Sequence, residues 1–202
     1  MEPFTTVTGV AAPLLRANVD TDMIIPVQRL VGATRDGLGA HAFERFRGTP
    51  GWPLDRPEYR GAPILLAGPN FGCGSSREGA VWALLGLGVR CVVAPSFGDI
   101  FFNNCFQNGV LPVRLDEAAV RRIAAEMEAA PGNARVTVDL ERQLVVTPSG
   151  EAIPFEVDAR KKAALLEGLD EIAQTKKRAA DIAAWQARDR AARPWAWESV
   201  AL

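Results

Sequence analysis

Ile64-Leu-Leu-Ala67 runs straight into Gly68-Pro-Asn-Phe-Gly-Cys-Gly-Ser-Ser76, and that into Arg77-Glu-Gly-Ala-Val-Trp-Ala-Leu-Leu-Gly-Leu87. A short apolar run, a glycine-rich passage and an alanine- and leucine-rich stretch, in that order, read as strand, loop and helix. Residues 90–94 are again apolar and valine-rich, with Gly86 and Gly88 just ahead, the pattern of a buried parallel strand. Together these predict a βαβ unit. Residues 97–108 have helical length and stop at Gly109, where a left-handed C-cap glycine belongs. Residues 110–115 predict a third strand, and Pro112 assigns it to a sheet edge or a strand end. The fold class is therefore α/β, with a mostly parallel sheet and helices on both faces.

Further along, Asp116 is a suitable N-cap for a helix over residues 117–129, in which Val120, Ile123, Ala124 and Met127 recur at helical spacing before Pro131-Gly132 stops the pattern. Residues 135–140, 144–147 and 153–157 are β-rich and separated by polar turns, which predicts a small antiparallel meander. Residues 158–169 and then 170–190 are dominated by Ala, Lys, Glu and Leu and predict helices, with lysines such as Lys161, Lys162, Lys176 and Lys177 on solvated faces. Upstream, the stretch 13–61 is full of turn formers and holds only short apolar pieces, so it predicts loops on a scaffold. The expected organisation is one domain over 1–168, including N-terminal active-site loops, and a C-terminal helical extension and tail over 169–202.

Composition narrows the function. Lys and Arg number 23 against 24 Asp and Glu, so no global field favours nucleic acid or an anionic membrane. No apolar run approaches the ~18 residues of a membrane span, and residues 1–10 lack the pattern of a secretory signal, so a soluble, cytoplasmic chain is expected. The three cysteines, at 73, 91 and 105, fit neither a CxxC knuckle nor an even-numbered disulfide framework, and His41 is the sole histidine. The expectation is that this chain binds no metal or cofactor by itself.

The chemistry concentrates in Asn70-Phe-Gly-Cys-Gly-Ser-Ser-Arg-Glu78. Gly72 and Gly74 permit tight turns and close approach of backbone to a ligand. Ser75 and Ser76 fall at the predicted helix N-terminus, where unpaired amides and the helix dipole favour an anion. Arg77 adds a planar fork suited to a carboxylate. A Walker loop is excluded because no lysine follows the glycines, and the G-x-S-x-G elbow is excluded because Arg77-Glu78 follow the serines, with the next glycine one place late at Gly79. Cys73 reads as a small side chain packed in a tight turn rather than a ligand or nucleophile.

This motif resembles the signature of the swivelling domain of the aconitase superfamily and, in its Phe-Gly-Cys form, the isopropylmalate isomerase small-subunit family. Asn18-Val-Asp-Thr-Asp22 with Ile24-Ile-Pro26, Thr34-Arg-Asp-Gly37 with Gly39-Ala-His41, Ala94-Pro-Ser-Phe-Gly-Asp-Ile-Phe101 and Gly168-Leu-Asp-Glu-Ile172 follow in the family's order, so the resemblance covers nearly the whole chain. It implies a swivelling β/β/α fold and a hydro-lyase that interconverts 2- and 3-isopropylmalate by dehydration and rehydration in leucine biosynthesis. It further implies a large-subunit partner carrying a four-iron four-sulfur cluster that acts as a Lewis acid.

Carried over residue by residue, the resemblance makes Ser75 the base that removes a proton from carbon and Ser76 a hydrogen-bonding contact of the substrate. Arg77 becomes a carboxylate contact, Arg35 a second one, and Asp22 a member of the active site. A free serine hydroxyl is far too weak an acid for its role, and helix-terminal amides plus Arg77 are the positive charge on offer. His41 reads as a structural loop residue. The family usually has His-Ala after Ser-Ser-Arg-Glu where this chain has Gly79-Ala80. Residues 28–37, with Arg29, Leu30 and Val31, are expected to form the pocket for the substrate's side group. Two alternatives stand beside this reading: the same chemistry on a methylmalate, dimethylmalate or homoaconitate-type acid, and a non-catalytic carboxylate-binding module.

Overall fold

The computed structural model describes residues 1–32, 34–75 and 77–197. Two four-stranded sheets organise it. The parallel sheet consists of β2 (Ala11–Leu14), β3 (Ile64–Ala67), β4 (Cys91–Ala94) and β5 (Leu111–Arg114), in that order. The antiparallel sheet has the order β1 (Thr6–Gly9), β6 (Val136–Asp139), β7 (Leu144–Val146), β8 (Ala152–Pro154). Pro13 and Pro112 lie in β2 and β5, the two edges of the parallel sheet, where a missing N–H leaves no interior ladder bond unmade.

The α/β expectation holds, and the antiparallel part is larger than the sequence suggested. The meander of β6, β7 and β8 is joined by β1, with Thr6 opposite Asp139 and Gly9 opposite Val136. Neither β1 nor β2 was expected. Each is only four residues long, each finds its partner far away in sequence, and only Val10 separates them as the chain passes from one sheet to the other.

Alternation along the central strands divides the core in two. Leu65, Ala67, Val92 and Ala94 face α2 (Glu78–Gly86) and part of α3 (Asp99–Asn108), whereas Ile64, Leu66, Cys91 and Val93 face α4 (Glu117–Ala129) and the antiparallel sheet. Burying Val120, Ile123 and Met127 of α4 stabilises that layer by about 1.5–3 kcal/mol per large side chain. The helix ends follow local rules. Asp116 accepts from the Ala119 amide at 2.7 Å, and Gly109 closes α3 at φ 81°. Asp158 caps α5 (Ala159–Glu167), which Gly168 closes at φ 68°.

The N-terminal loops contain α1 (Thr21–Ile24) and several 3₁₀ turns, among them Arg35–His41. Arg56 pairs with Glu58 and Glu128, and the Tyr59 hydroxyl donates to Glu128 at 3.1 Å, so these loops are tied to α4. The helix expected over residues 170–190 is two helices, α6 (Glu171–Lys176) and α7 (Ala179–Ala192), and neither buries a residue. No helix among the described residues is long and apolar enough to cross a membrane.

Candidate functional site

Three loops meet at the carboxyl ends of β2, β3 and β4, the end of an open parallel sheet where ligands bind. The loop after β3 is bonded on both sides. On one side the Asn18 amide donates to Pro69 O at 2.9 Å, Gly72 N to Val19 O at 2.7 Å and Thr21 N to Cys73 O at 3.0 Å. On the other, Phe71 N donates to Ser96 O at 3.0 Å, Gly98 N to Phe71 O at 2.9 Å and Asn70 N to Ser96 Oγ at 2.8 Å. The sequence segments 18–22, 70–78 and 94–101 thus converge on one place.

Inside the loop, Asn70, Gly72 and Gly74 take left-handed conformations at φ 58°, 72° and 86°. Gly72 also sits where a Cβ would come within 2.2 Å of the Phe101 ring, and a Cβ on Gly98 would lie 2.5 Å from Gly72 O. Glycine is required for close packing here as much as for conformational freedom.

Ser75 and Ser76 were expected at the helix N-terminus. The structure corrects this for Ser75: Arg77, extended at φ −140° and ψ 106°, is the N-cap of α2, and Ser75 stands in the loop ahead of it, exposed to solvent. The left-handed turn at Gly74 and the extended Arg77 delay the first helical turn. Ser76 lies outside the described residues.

Arg77 and Asp22 form an ion pair through Nη1 and Oδ1, with the arginine side chain 17% and the aspartate 38% exposed. The hydrogen bond from Arg77 holds the Asp22 carboxyl below its ordinary value, against a smaller opposing effect of burial. Among the described residues the other Arg77 donors have no partner, which leaves part of the fork available to a second carboxylate. Next to this pair, Thr21 Oγ1 donates to Ser75 O at 2.9 Å. The structure therefore brings Asp22, Ser75 and Arg77 together.

Arg35 sits further along α2. Its guanidinium lies 5.8 Å from the Trp82 ring, one helical turn beyond Glu78. Packing of Gly39 on Gly86, where a Cβ would meet backbone at 2.3 Å, lays the Arg35–His41 turn against the helix. Trp82 is held in turn: its Nε1 donates to Asn108 Oδ1 at 2.8 Å, and Asn108 Nδ2 donates to Glu78 Oε1 at 2.7 Å. Sequence reasoning missed Thr21, Trp82 and Asn108. Thr21 was within reach, since it stands inside a quoted motif, but the partners of Trp82 and Asn108 lie on separate elements and leave no local signal.

Of the residues expected around the substrate's side group, Leu30 turns inward and Val31, 83% exposed, outward. A Cβ on Gly79 would lie 2.4 Å from Leu30 Cδ2, so Leu30 occupies the space that a side chain at 79 would need. Val31, Arg29, Thr34, Leu38 and His41 line a cavity of about 340 Å³. Arg29 donates to Glu44, and His41 Nδ1 lies 3.1 Å from the same carboxylate.

The cysteines do not fit a shared cluster. Burial pushes the Cys91 and Cys105 thiols up, inside the core. Cys73 stands in the active loop, its thiol raised by burial and by neighbouring Asp20. Among the described residues no group of three or more His, Cys, Asp or Glu side chains is placed to hold a metal ion.

The chain is similar to known proteins along nearly its whole length. The Aconitase C-terminal domain model matches residues 1–118, and a second model, described as LeuD_N, matches residues 121–159. The chain is 52% identical to a 3-isopropylmalate dehydratase small subunit of Dinoroseobacter shibae, covering 96% of this chain and 100% of that one. It is 53% identical to the like-named protein of Rhodospirillum centenum, over 97% and 99% of the two chains. The crystal structure of a 3-isopropylmalate dehydratase from Methanocaldococcus jannaschii superposes with a TM-score of 0.66 at 27% identity, over 88% of this chain and 98% of that one.

Proposed function

The chain belongs to the 3-isopropylmalate dehydratase small-subunit family of aconitase-type proteins, and from that premise we propose that it is the small subunit of a hydro-lyase interconverting 2- and 3-isopropylmalate in leucine biosynthesis. The observation that carries the reading is the meeting of Ser75, Arg77 and Asp22 at the carboxyl end of the parallel sheet. Ser75 removes the proton from the substrate carbon as an alkoxide. Its exposure leaves the hydroxyl open to a ligand, and Arg77, two residues on, supplies positive charge to the oxyanion. Arg77 binds one substrate carboxylate with the donors that Asp22 leaves over, while Asp22 fixes the plane of the guanidinium. Ser76 hydrogen-bonds the substrate, and Arg35, whose guanidinium lies over the Trp82 ring, binds the other carboxylate.

The iron-sulfur cluster is assigned to a large subunit, where an open iron would supply the Lewis acid for the departing hydroxyl. Val31 and its neighbours along the cavity take the isopropyl group. The soluble two-chain enzyme is expected in the cytoplasm, and residues 1–168 are expected to form the catalytic domain.

Reconstitution with a cluster-loaded large subunit, assayed on isopropylmalate, methylmalate, dimethylmalate and homoaconitate, tests the assignment. Turnover is expected on isopropylmalate first, and turnover on none of the four would sink the hydro-lyase reading. Ser75→Ala is expected to lower kcat by about 10²–10⁴-fold, the range for loss of a positioned base. Near-normal turnover would remove Ser75 from that role.

A further inference from the structure

Few polar side chains are buried among the described residues: Thr21 at 2% exposure, Asn108 at 6% and Thr147 at 3%. A buried hydroxyl is costly unless it is paired, so the partner of each shows what it is there for. Thr147 bonds Ser149 within the turn that joins two strands of the meander. Asn108 braces Trp82 and Glu78 on α2. Thr21 reaches into the active loop instead, where its Oγ1 donates to the carbonyl of Ser75 at 2.9 Å.

Three further bonds fix the place from which Thr21 reaches. Its amide donates to Cys73 O at 3.0 Å, its carbonyl accepts from Ile25 N at 2.9 Å, and the Asp20 carboxylate ahead of it caps the Met23 amide at 2.7 Å. Ser75 is in the opposite situation. It is exposed, it follows the left-handed Gly74, and it precedes the first turn of α2. Among the described residues, the bond from Thr21 is the one hydrogen bond made to Ser75.

We propose that Thr21 is a positioning residue for the reaction, its buried hydroxyl holding the Ser75 carbonyl and so setting where the Ser75 side chain stands. The proposal rests on the assignment of Ser75 as base. Without this bond the peptide unit that carries the Ser75 carbonyl is free to turn, and the Ser75 side-chain oxygen moves with it. Displacing a reacting group by about 1 Å costs on the order of 10²-fold in rate. The carboxylate fork of Arg77 is held separately, by Asp22. The loss therefore falls on kcat rather than on KM.

The test uses the reconstituted two-chain enzyme with Thr21→Val, which keeps the shape and removes the donor, Thr21→Ser, which keeps the donor, and Ser75→Ala as reference. Expected is a fall in kcat of about ten- to a hundredfold for Thr21→Val with KM within about twofold, and recovery to near the parent value in Thr21→Ser. Hydrogen exchange of the peptide spanning residues 70–77 is expected to quicken in Thr21→Val and not in Thr21→Ser, a readout independent of turnover. Should Thr21→Val fold poorly, Thr21→Ala replaces it, with exchange over 70–77 compared against that over the central strands. A normal kcat in Thr21→Val beside an inactive Ser75→Ala overturns the proposal and leaves the base assignment standing. Equal losses in Thr21→Val and Thr21→Ser, or quickened exchange over the whole chain rather than over 70–77, also overturn it. Near-normal turnover in Ser75→Ala removes the base assignment itself and the proposal with it.

Discussion

Between Asn18 and Gly98, three loops hold one another by backbone hydrogen bonds and by glycines that leave no room for a side chain, whereas α6 and α7 bury none of their residues. The first region is irregular and tightly fixed; the second is regular and loosely attached. Regular secondary structure is therefore no guide to local stability in this chain. Stability follows from buried contacts and from backbone groups paired away from water. A base that must stand within a fraction of an ångström of its target belongs in the first kind of region.

The sharpest way to break the contrast is Gly98→Ala. The added methyl would come 2.5 Å from Gly72 O, a backbone atom that cannot swing aside as a side chain can. Overpacking of this kind costs about 1–3 kcal/mol, and for a chain of this size each kcal/mol lowers the unfolding midpoint by about 2–4 °C. Calorimetry checks it, and an unchanged midpoint would mean that the loops yield more readily than their packing suggests.

Gly79→Ala probes the same region with a softer neighbour. Here the new methyl meets Leu30 Cδ2, the far end of a flexible side chain, and alanine favours the helix by up to about 1 kcal/mol over glycine. The two effects oppose each other, so the net change in stability is expected to stay below about 1 kcal/mol. The substrate preference should move more, because Leu30 is followed directly by Val31 at the cavity rim. The ratio of kcat/KM for isopropylmalate over methylmalate is the measurement, and an unchanged ratio would detach Leu30 from the choice of substrate.

How much of this was legible in the sequence depended on the range of the interaction. Asp116, Asp158 and Asp170 each accept from an amide of the next turn, and Gly109 and Gly168 each close a helix in left-handed conformation, so those helix ends could be read within a few residues. β1 could not, because Thr6 finds its partner at Asp139, and β2 could not, because a four-residue strand containing Pro13 carries too little pattern. In the candidate site, the letters around Ser75 announced an anion-binding loop, and the structure adds that Arg77 is paired with Asp22. The start of α2 was read at Arg77, one residue ahead of its first helical residue, Glu78, and the extended backbone of Arg77 sets the boundary. Thr21 was passed over because its partner is a backbone carbonyl, which no pattern of residue types displays.

Within the fixed region, the Asp22–Arg77 pair gives the comparison an electrostatic measure. The Asp22 carboxyl is held below its ordinary value of 3.8 by the Arg77 hydrogen bond, so the pair stabilises the loop above the unfolded-state value and loses its effect only as pH falls through the lower folded-state value. A carboxyl-detected NMR titration is expected to place the Asp22 midpoint below 3.8, and Arg77→Ala to move it upward. An Asp22 midpoint that does not respond to Arg77→Ala would show that the pair is not maintained in solution.

The smallest effect is expected at the other end of the comparison. Removing residues 170–202 takes away the bond from Gln107 to Glu171 at 2.8 Å and the exposed pair of Lys177 with Glu167, but no buried side chain among the described residues. Exposed pairs contribute about 0–1 kcal/mol, so a chain ending at Leu169 should unfold within about 1 kcal/mol of the full-length chain. A 14-residue helix is marginal by itself in water, and Trp185 of α7 is 51% exposed. Amide exchange in α7 should accordingly run far faster than in α2, whose Ala80, Val81, Ala83 and Leu84 are fully enclosed. A truncated chain that unfolds several kilocalories earlier would place the domain boundary beyond residue 168 and give the C-terminal helices a share in stability that their exposure does not suggest.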